Sequence, residues 1–164
     1  MTENQDPRHK TISRIAQMTG QLVWLGHKRF AQLLSTYKLT PPQYFTLVSL
    51  FHQDRARSMQ VLAEITHQDA ATVTGIVDRL IKLGYVSRQR GEDDRRKVYV
   101  TLEEAGRQVI DQVRQVQHEN WQNAFSALTQ EDLDEMLRII NTVMQAWEPA
   151  RQSADRPTNP TTIL

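Results

Sequence analysis

The chain has 164 residues, of which 39% are hydrophobic and 24% charged, and its formal net charge at pH 7 is only +1. This length and mixture predict one folded domain and exclude a disordered or collagen-like chain. The absence of cysteine excludes disulfide frameworks, thiolate zinc sites, cysteine nucleophiles and sensing by thiol oxidation.

The two ends of the chain differ in composition from its middle. Residues 1–10 and 149–164 are polar and aperiodic, so we expect both ends to be flexible. Residues 11–38 carry apolar side chains at the three- and four-residue spacing of a long amphipathic helix. There is no secretory signal and no run of about 18 apolar residues. These features predict a cytoplasmic protein that has no membrane partner.

Three shorter helices are predicted next, from their start and stop signals. Thr40 followed by Pro41 predicts the beginning of a second helix, because proline is tolerated at the first helical position. Ser58 is a suitable cap for a short third helix. Asp69 precedes a fourth helix, which Gly84 ends. The apolar face of that fourth helix consists of Val73, Ile76, Val77 and Leu80.

The pattern then changes from helix to strand. Residues 85–90 and 97–101 are β-branched and aromatic runs on either side of a charged loop, which predicts a hairpin. Two more helices are expected, one opened by a capping box of Thr101 and Glu104 and one beginning at Thr129. The predicted fold class is therefore mainly α with a small antiparallel β-hairpin.

Five segments of this region occur in the order of a winged helix-turn-helix. They are LTPPQYFTL (39–47), ATVTGIVDRL (71–80), GYVSRQ (84–89), DDRRKVYVTL (93–102) and EEAG (103–106). In this order and spacing they resemble the multiple antibiotic resistance regulator (MarR) family of bacterial transcription factors. The resemblance in motifs covers about residues 39–110.

The resemblance implies an organisation and a function. Residues 39–101 would form the winged helix-turn-helix, and residues 11–38 and 102–148 would supply dimerisation helices. The expected partner is double-stranded DNA, bound by a homodimer at a pseudo-palindromic operator. Many members of the family release DNA when a small, often aromatic, effector binds. The expected function is thus a transcriptional regulator, most simply a repressor.

The polar side of the fourth helix is the first candidate DNA contact. Small side chains allow close approach to a major groove, and threonine can contact base edges or phosphates. Gly75 stands where the family often has a basic residue, which removes one candidate guanine contact. The alternative is an ordinary solvated helix face. The candidate residues are Ala70, Ala71, Thr72, Thr74, Gly75 and Arg79.

The charged hairpin is the second candidate DNA contact. Arginine at a hairpin tip can enter a minor groove, where the negative potential attracts it. By resemblance, Asp94 and Arg96 occupy the Asp-x-Arg wing motif, with Arg96 as the residue that enters the groove. The alternative is a solvated hairpin whose charges neutralise one another. The candidate residues are Arg88, Arg90, Asp94, Arg95, Arg96 and Lys97.

Charge and apolar surface also bear on the expected partners. Residues 1–40 carry a net charge of +4 and residues 55–101 carry +3, whereas residues 102–164 carry −5. The first two regions can present basic charge to a polyanion. The final helix has an apolar stripe that a winged domain of roughly 70 residues cannot bury, which favours a homodimer. The alternative is that the flanking helices fold back on their own subunit.

No catalytic, metal or cofactor site is predicted. The five histidines lie at no metal-ligand spacing, and neither a nucleophile elbow nor a glycine-rich phosphate loop occurs. A cleft for an aromatic effector needs flat apolar walls and a polar anchor. Trp24, His27 and Tyr44 are candidates for such a cleft, and ordinary packing is the alternative for all three.

Two other functions remain open from the sequence. A winged-helix module that binds protein instead of DNA would have a similar fold. A sequence-independent DNA compactor is a third hypothesis, which the small net charge and the acidic final third disfavour. The regulator is the prediction that accounts for all five segments.

Overall fold

A computed structural model describes residues 6–52, 56–91 and 97–147 of the chain. The described residues form six helices and a small sheet, so the predicted fold class is confirmed. The elements are α1 (Pro7–Thr36), α2 (Pro41–Phe51), β1 (Arg57–Ser58), α3 (Met59–Thr66), α4 (Ala70–Lys82), β2 (Val86–Arg90), β3 (Val98–Leu102), α5 (Glu104–Phe125) and α6 (Gln130–Trp147).

Helix α1 begins earlier than the sequence pattern predicted. Its first residue is Pro7 instead of residue 11, and the Asp6 carboxylate accepts a hydrogen bond from the backbone N–H of Arg8. An aspartate cap followed by proline starts a helix even where the apolar periodicity has not yet begun. The segment that we expected to be flexible therefore contributes its last residues to α1.

The predicted starts of α2, α3 and α4 are confirmed. Gln43 accepts a hydrogen bond from the Thr40 backbone N–H at 2.9 Å. Ser58 and Asp69 cap α3 and α4 through their side-chain oxygens. Gly84 follows α4 with a φ of 74°, a left-handed conformation that glycine adopts without strain.

The predicted start of α5 is wrong. Thr101 lies in β3, where it pairs with Ser87 of β2. The backbone N–H of Glu103 then donates to the carbonyl of Tyr85, and α5 begins at Glu104. Strand pairing here overrides a local capping pattern. The predicted start of α6 is confirmed, because Thr129 and Asp132 exchange hydrogen bonds.

The three strands form an antiparallel sheet in the order β1-β3-β2. The hairpin of β2 and β3 was predicted, whereas β1 was not. Strand β1 has only two residues, and Arg57 pairs with Val100 across the sheet. So short a strand carries no periodic signal of its own, and it is defined by its pairing with β3.

The chain divides into two compact units, one reaching to Val113 and the other beginning at Arg114. In the first unit, α2, α4 and the hairpin supply a closed core that includes Tyr44, Leu47, Leu80 and Val100, all with 0% exposure. In the second, no residue between 114 and 147 is buried. The first unit thus completes its own apolar core, and the second leaves apolar surface open.

Candidate nucleic-acid interface

Helix α4 is fixed by one side and leaves the other side open. Val73, Val77 and Leu80 are fully buried, and Ile76 is nearly so. Arg79 and Lys82 lie in the last turn, where positive charge interacts favourably with the negative end of the helix dipole. The helix therefore presents one rigid polar face to solvent.

All six candidate residues of α4 lie on its solvent-accessible surface. Each of them is exposed in the structure. At Gly75 a built Cβ atom would meet nothing within 4 Å, so the middle of this face is unobstructed. Such a surface, on which all side chains except that of Arg79 are small, can approach another macromolecule closely. The residues concerned are Ala70, Ala71, Thr72, Thr74, Gly75 and Arg79.

The hydroxyl protons of two threonines on this face are already used. Thr72 Oγ1 donates to Asp69 Oδ2 at 2.7 Å, and Thr74 Oγ1 donates to the Ala70 carbonyl at 2.8 Å. A hydroxyl group has one proton and two acceptor lone pairs. In this arrangement both threonines offer a methyl group and an acceptor, which suits the amino groups of adenine or cytosine and the methyl group of thymine.

The cap of α4 is an ionised aspartate. The hydrogen bonds from the hydroxyl and then the backbone N–H of Thr72 hold the pKa of Asp69 below its ordinary value. The carboxylate thereby occupies the positive N-terminal end of α4, a position that also suits an anion. We therefore expect the middle of the helix, and not its first N–H groups, to meet a ligand.

The hairpin places basic side chains next to α4. Arg88, Arg90 and Lys97 are exposed, and the guanidinium of Arg88 forms an ion pair of 3.0 Å with Asp78 of α4. Sequence reasoning missed this pair. Its signal was the ten-residue separation of opposite charges across the α4–β2 turn. The remaining wing candidates, Asp94, Arg95 and Arg96, lie outside the described residues.

The three candidate effector residues have different environments. Tyr44 is fully buried in the core, with its ring centroid 5.5 Å from that of Phe30. Trp24 is 64% exposed on α1, with Lys28 Nζ at 5.2 Å from its ring centroid. His27 is also exposed. One candidate is therefore a core residue, and the other two lie on a helix surface.

The described ranges contain neither a metal cluster nor a membrane-spanning helix. No three His, Asp or Glu side chains among residues 6–52, 56–91 and 97–147 come together as metal ligands. In the same ranges no helix combines the length and the apolar character needed to cross a membrane. The exposed side of α4 and the adjoining hairpin remain the candidate site.

Comparison with known proteins gives a consistent set of relatives. The family model described as transcriptional regulator SarA/Rot matches residues 28–113. The chain is also similar to YwhA of Bacillus subtilis, which is named an HTH-type transcriptional regulator. The two are 30% identical over 130 residues, which cover 74% of this chain and 93% of YwhA.

Solved structures share the fold. A MarR family protein from Bacillus stearothermophilus is 22% identical, with a TM-score of 0.71 over 86% of this chain and 98% of that one. A mutant of MepR from Staphylococcus aureus bound to an oligodeoxyribonucleotide is 18% identical, with a TM-score of 0.68 over 82% of this chain and 98% of the mutant. At these identities the likeness shows a common fold.

Proposed function

The chain belongs to the MarR family of winged helix-turn-helix transcription regulators, and from this premise we propose that it is a homodimeric repressor of a pseudo-palindromic operator. Its relatives are DNA-binding regulators and not enzymes. The finer parts of the proposal are the dimer, the contacting residues, the repression and the response to an effector. Its place of action is the cytoplasm.

One observation supports the DNA contact most strongly. Helix α4 buries one complete face, and the exposed side of its first half carries only small side chains, with an open position at Gly75. A major groove admits a helix with such a face. We assign base contacts to Thr72 and Thr74, and phosphate contacts to Arg79, Arg90 and Lys97. Arg88, the remaining described basic candidate, pairs with Asp78 and is not assigned a phosphate contact.

The wing is assigned to the minor groove. Asp94, Arg95 and Arg96 belong to this assignment through the sequence motif, and Arg96 is the residue proposed to enter the groove. We expect Arg96→Ala to weaken operator binding without unfolding the protein. It should also lower the slope of log affinity against log salt by about one. Unchanged affinity in a folded dimer would contradict the wing assignment.

Exposed apolar surface supports the homodimer. Several large side chains of α1 and α6 are between 40% and 82% exposed, which is unusual for so many neighbouring positions. Burial between two copies would remove this surface from water. The side chains concerned are Ile12, Ile15, Met18, Leu22, Val23, Trp24 and Leu25 of α1, and Leu137, Ile139, Ile140, Val143, Met144 and Trp147 of α6.

The charges of the same helices also favour association. Helix α1 carries five Lys and Arg residues and no acidic residue, whereas α6 carries four acidic residues and one arginine. Contact between α1 of one copy and α6 of its partner would therefore join opposite charges around the apolar stripes. Charge complementarity of this kind fixes the register of an interface more than its affinity.

The effector site is proposed at Trp24 and His27, whereas Tyr44, which was the third candidate, is a fully buried core residue and is left out of the proposal. Trp24, at the edge of the proposed dimer surface, and His27 on the same helix offer a flat wall and a polar anchor for a small aromatic molecule. Titration with phenolic acids should quench the fluorescence of Trp24, and Trp24→Phe should abolish that part of the signal. Titration without any quenching would count against this site.

Selection of bound sequences from a random duplex pool at physiological salt tests the proposed function. An enriched inverted repeat, with half-sites about one helical turn apart, is expected for a two-fold dimer. Retention without enrichment would indicate a sequence-independent compactor. Failure to retain any duplex would favour a winged-helix module that binds protein.

A further inference from the structure

An acidic side chain lies on the surface that faces DNA in the proposed function. Asp78 is on the exposed side of α4 and its side chain is 51% exposed. A carboxylate there opposes the approach of phosphates, so its presence calls for a physical reason. Its partner is Arg88 of β2, at 3.0 Å.

The sheet register directs Arg88 toward α4. Arg88 pairs with Val100, and Val86 pairs with Leu102, so these positions alternate onto one face of the hairpin. Val86, Val100 and Leu102 are buried on that face. Arg88 therefore extends from the inner face of the hairpin, which packs against α4, and not from its outer face.

The ion pair spans the turn that joins the two elements. The turn is closed by backbone hydrogen bonds from Gly84 to Ile81 and from Tyr85 to Leu80, at 2.9 and 3.0 Å. These bonds fix the turn itself, whereas the pair of Asp78 and Arg88 connects the body of the helix to the third residue of the strand. It is a brace across the turn.

We propose that Asp78 is a positioning residue for DNA recognition, which by holding Arg88 fixes the hairpin relative to α4. The proposal rests on the proposed function, in which α4 and the wing enter different grooves of one half-site. Both can engage together only if their separation matches that of the grooves. A preformed separation avoids the entropy cost of ordering the hairpin on binding. An exposed pair adds little to stability, so its main effect falls on recognition.

The brace predicts an unusual result, because removal of an acidic group near DNA should weaken binding. We expect Asp78→Asn to reduce affinity by at most about fivefold for the duplex selected by the wild-type protein, since an exposed ion pair has only a small free energy to lose. Affinity for a scrambled duplex of equal length should not change, and neither should the salt slope. Arg88→Ala should have the same effect, and the double variant should be no worse than either single one.

A charge-swap variant separates loss of the ion pair from misfolding and from a change in net charge. The variant with both Asp78→Arg and Arg88→Asp has the wild-type net charge and can re-form the pair in reverse. We expect it to recover most of the preference for the selected duplex. Thermal melting and sedimentation of each variant should match the wild-type protein, since the pair is exposed.

Three results would contradict the proposed role of the ion pair between Asp78 and Arg88. Tighter binding of both duplexes by Asp78→Asn would mean that Arg88 only neutralises the carboxylate. A salt slope lowered by about one in Arg88→Ala, together with unchanged binding by Asp78→Asn, would mean a direct phosphate contact. A charge swap with no recovery would exclude the pair as the cause. Wild-type protein without preference for any duplex would instead contradict the proposed function.

Discussion

Helices α4 and α6 have the same type of amphipathic sequence but different surroundings. In α4 the apolar residues Val73, Ile76, Val77 and Leu80 are all buried. In α6 no residue is buried, and Trp147 is 82% exposed. Amphipathic periodicity predicts that a helix face will be covered, but it does not predict whether the cover is the same chain or another one.

This difference in burial suggests that the winged region and the α6 region have separate roles, in DNA binding and in association. The winged region reaches a closed core by itself, and in our proposal its exposed face binds DNA. The α6 region has an exposed apolar stripe, which in our account is covered by a second copy. Changes in α6 should therefore act on association, whereas changes near α4 should act on stability or recognition.

The largest expected effect is loss of the dimer. Ile140→Glu places a charge in the centre of the apolar stripe of α6. Burial of one such side chain contributes about 1.5–3 kcal/mol to association, and a two-fold dimer loses this contribution once in each copy. We expect the dimer dissociation constant to rise at least about 100-fold, measured by analytical ultracentrifugation. Gln145→Glu, on the polar side of α6, is the matched control and should remain dimeric. Equal association of the two variants would contradict the assigned surface.

The next effect concerns the self-contained core of the winged region. A Cβ atom at Gly106 of α5 would collide with the carbonyl oxygen of Tyr85 and would lie 2.7 Å from Leu102 Cδ1. We expect Gly106→Ala to reduce the free energy of unfolding by about 1–3 kcal/mol, measured by urea denaturation. Gly75→Ala in α4 is the control and should raise stability by about 1 kcal/mol. Equal midpoints for the two variants would disprove the close packing.

A smaller effect is expected on sequence preference alone, without a change in stability. Thr74 in α4 and Thr142 in α6 are both exposed, and each donates its hydroxyl proton to a carbonyl four residues earlier. We expect Thr74→Val to lower the preference for the selected duplex by about 1 kcal/mol, which is the net value of one hydrogen bond. Thr142→Val should leave that preference unchanged. Competition binding measured by fluorescence anisotropy compares the two, and equal losses would remove Thr74 from the interface.

The smallest effect is a pH dependence of the α4 cap. The hydrogen bonds from Thr72 hold the folded-state pKa of Asp69 below its ordinary value, so its ionised form stabilises the fold. This contribution is fully present above the unfolded-state pKa and disappears as the pH falls through the folded-state pKa. Asn keeps a capping oxygen but not the charge.

The measurement is the difference in melting temperature between wild-type protein and Asp69→Asn. We expect wild type to be more stable at about pH 6, and the difference to shrink as the pH falls below the ordinary pKa of an aspartate and toward the folded-state pKa. Asp132→Asn gives the corresponding comparison in α6, where hydrogen bonds from Thr129 lower the aspartate pKa. A difference that does not vary with pH would exclude a role for the charge at that cap.

The sequence predicted those features whose cause is local. The caps at Asp69 and Thr129 lie within three residues of the N–H groups that they bind, so their patterns are visible in the sequence. Thr101 has a similar pattern but lies in β3, because pairing with Ser87 overrides it. Strand β1 depends on a partner about forty residues later along the chain, and no local signal marks it.

In the candidate site, too, the features with a local cause could be predicted from the sequence and the others could not. The small and polar face of α4 followed from helical periodicity alone. The pair of Asp78 and Arg88 did not, because it depends on the turn after α4 and on which face of β2 each side chain occupies. The intrahelical bonds of Thr72 and Thr74, which turn both hydroxyls into acceptors, also required the structure.

Native mass spectrometry of the full chain with the selected duplex tests the central claim most directly. The account predicts one complex that contains two chains and one inverted repeat, and Ile140→Glu should shift the signal toward free chains and free duplex. A stable complex of one chain with one duplex, unaffected by that substitution, would contradict the account. It would mean that the apolar stripe of α6 has no part in DNA binding.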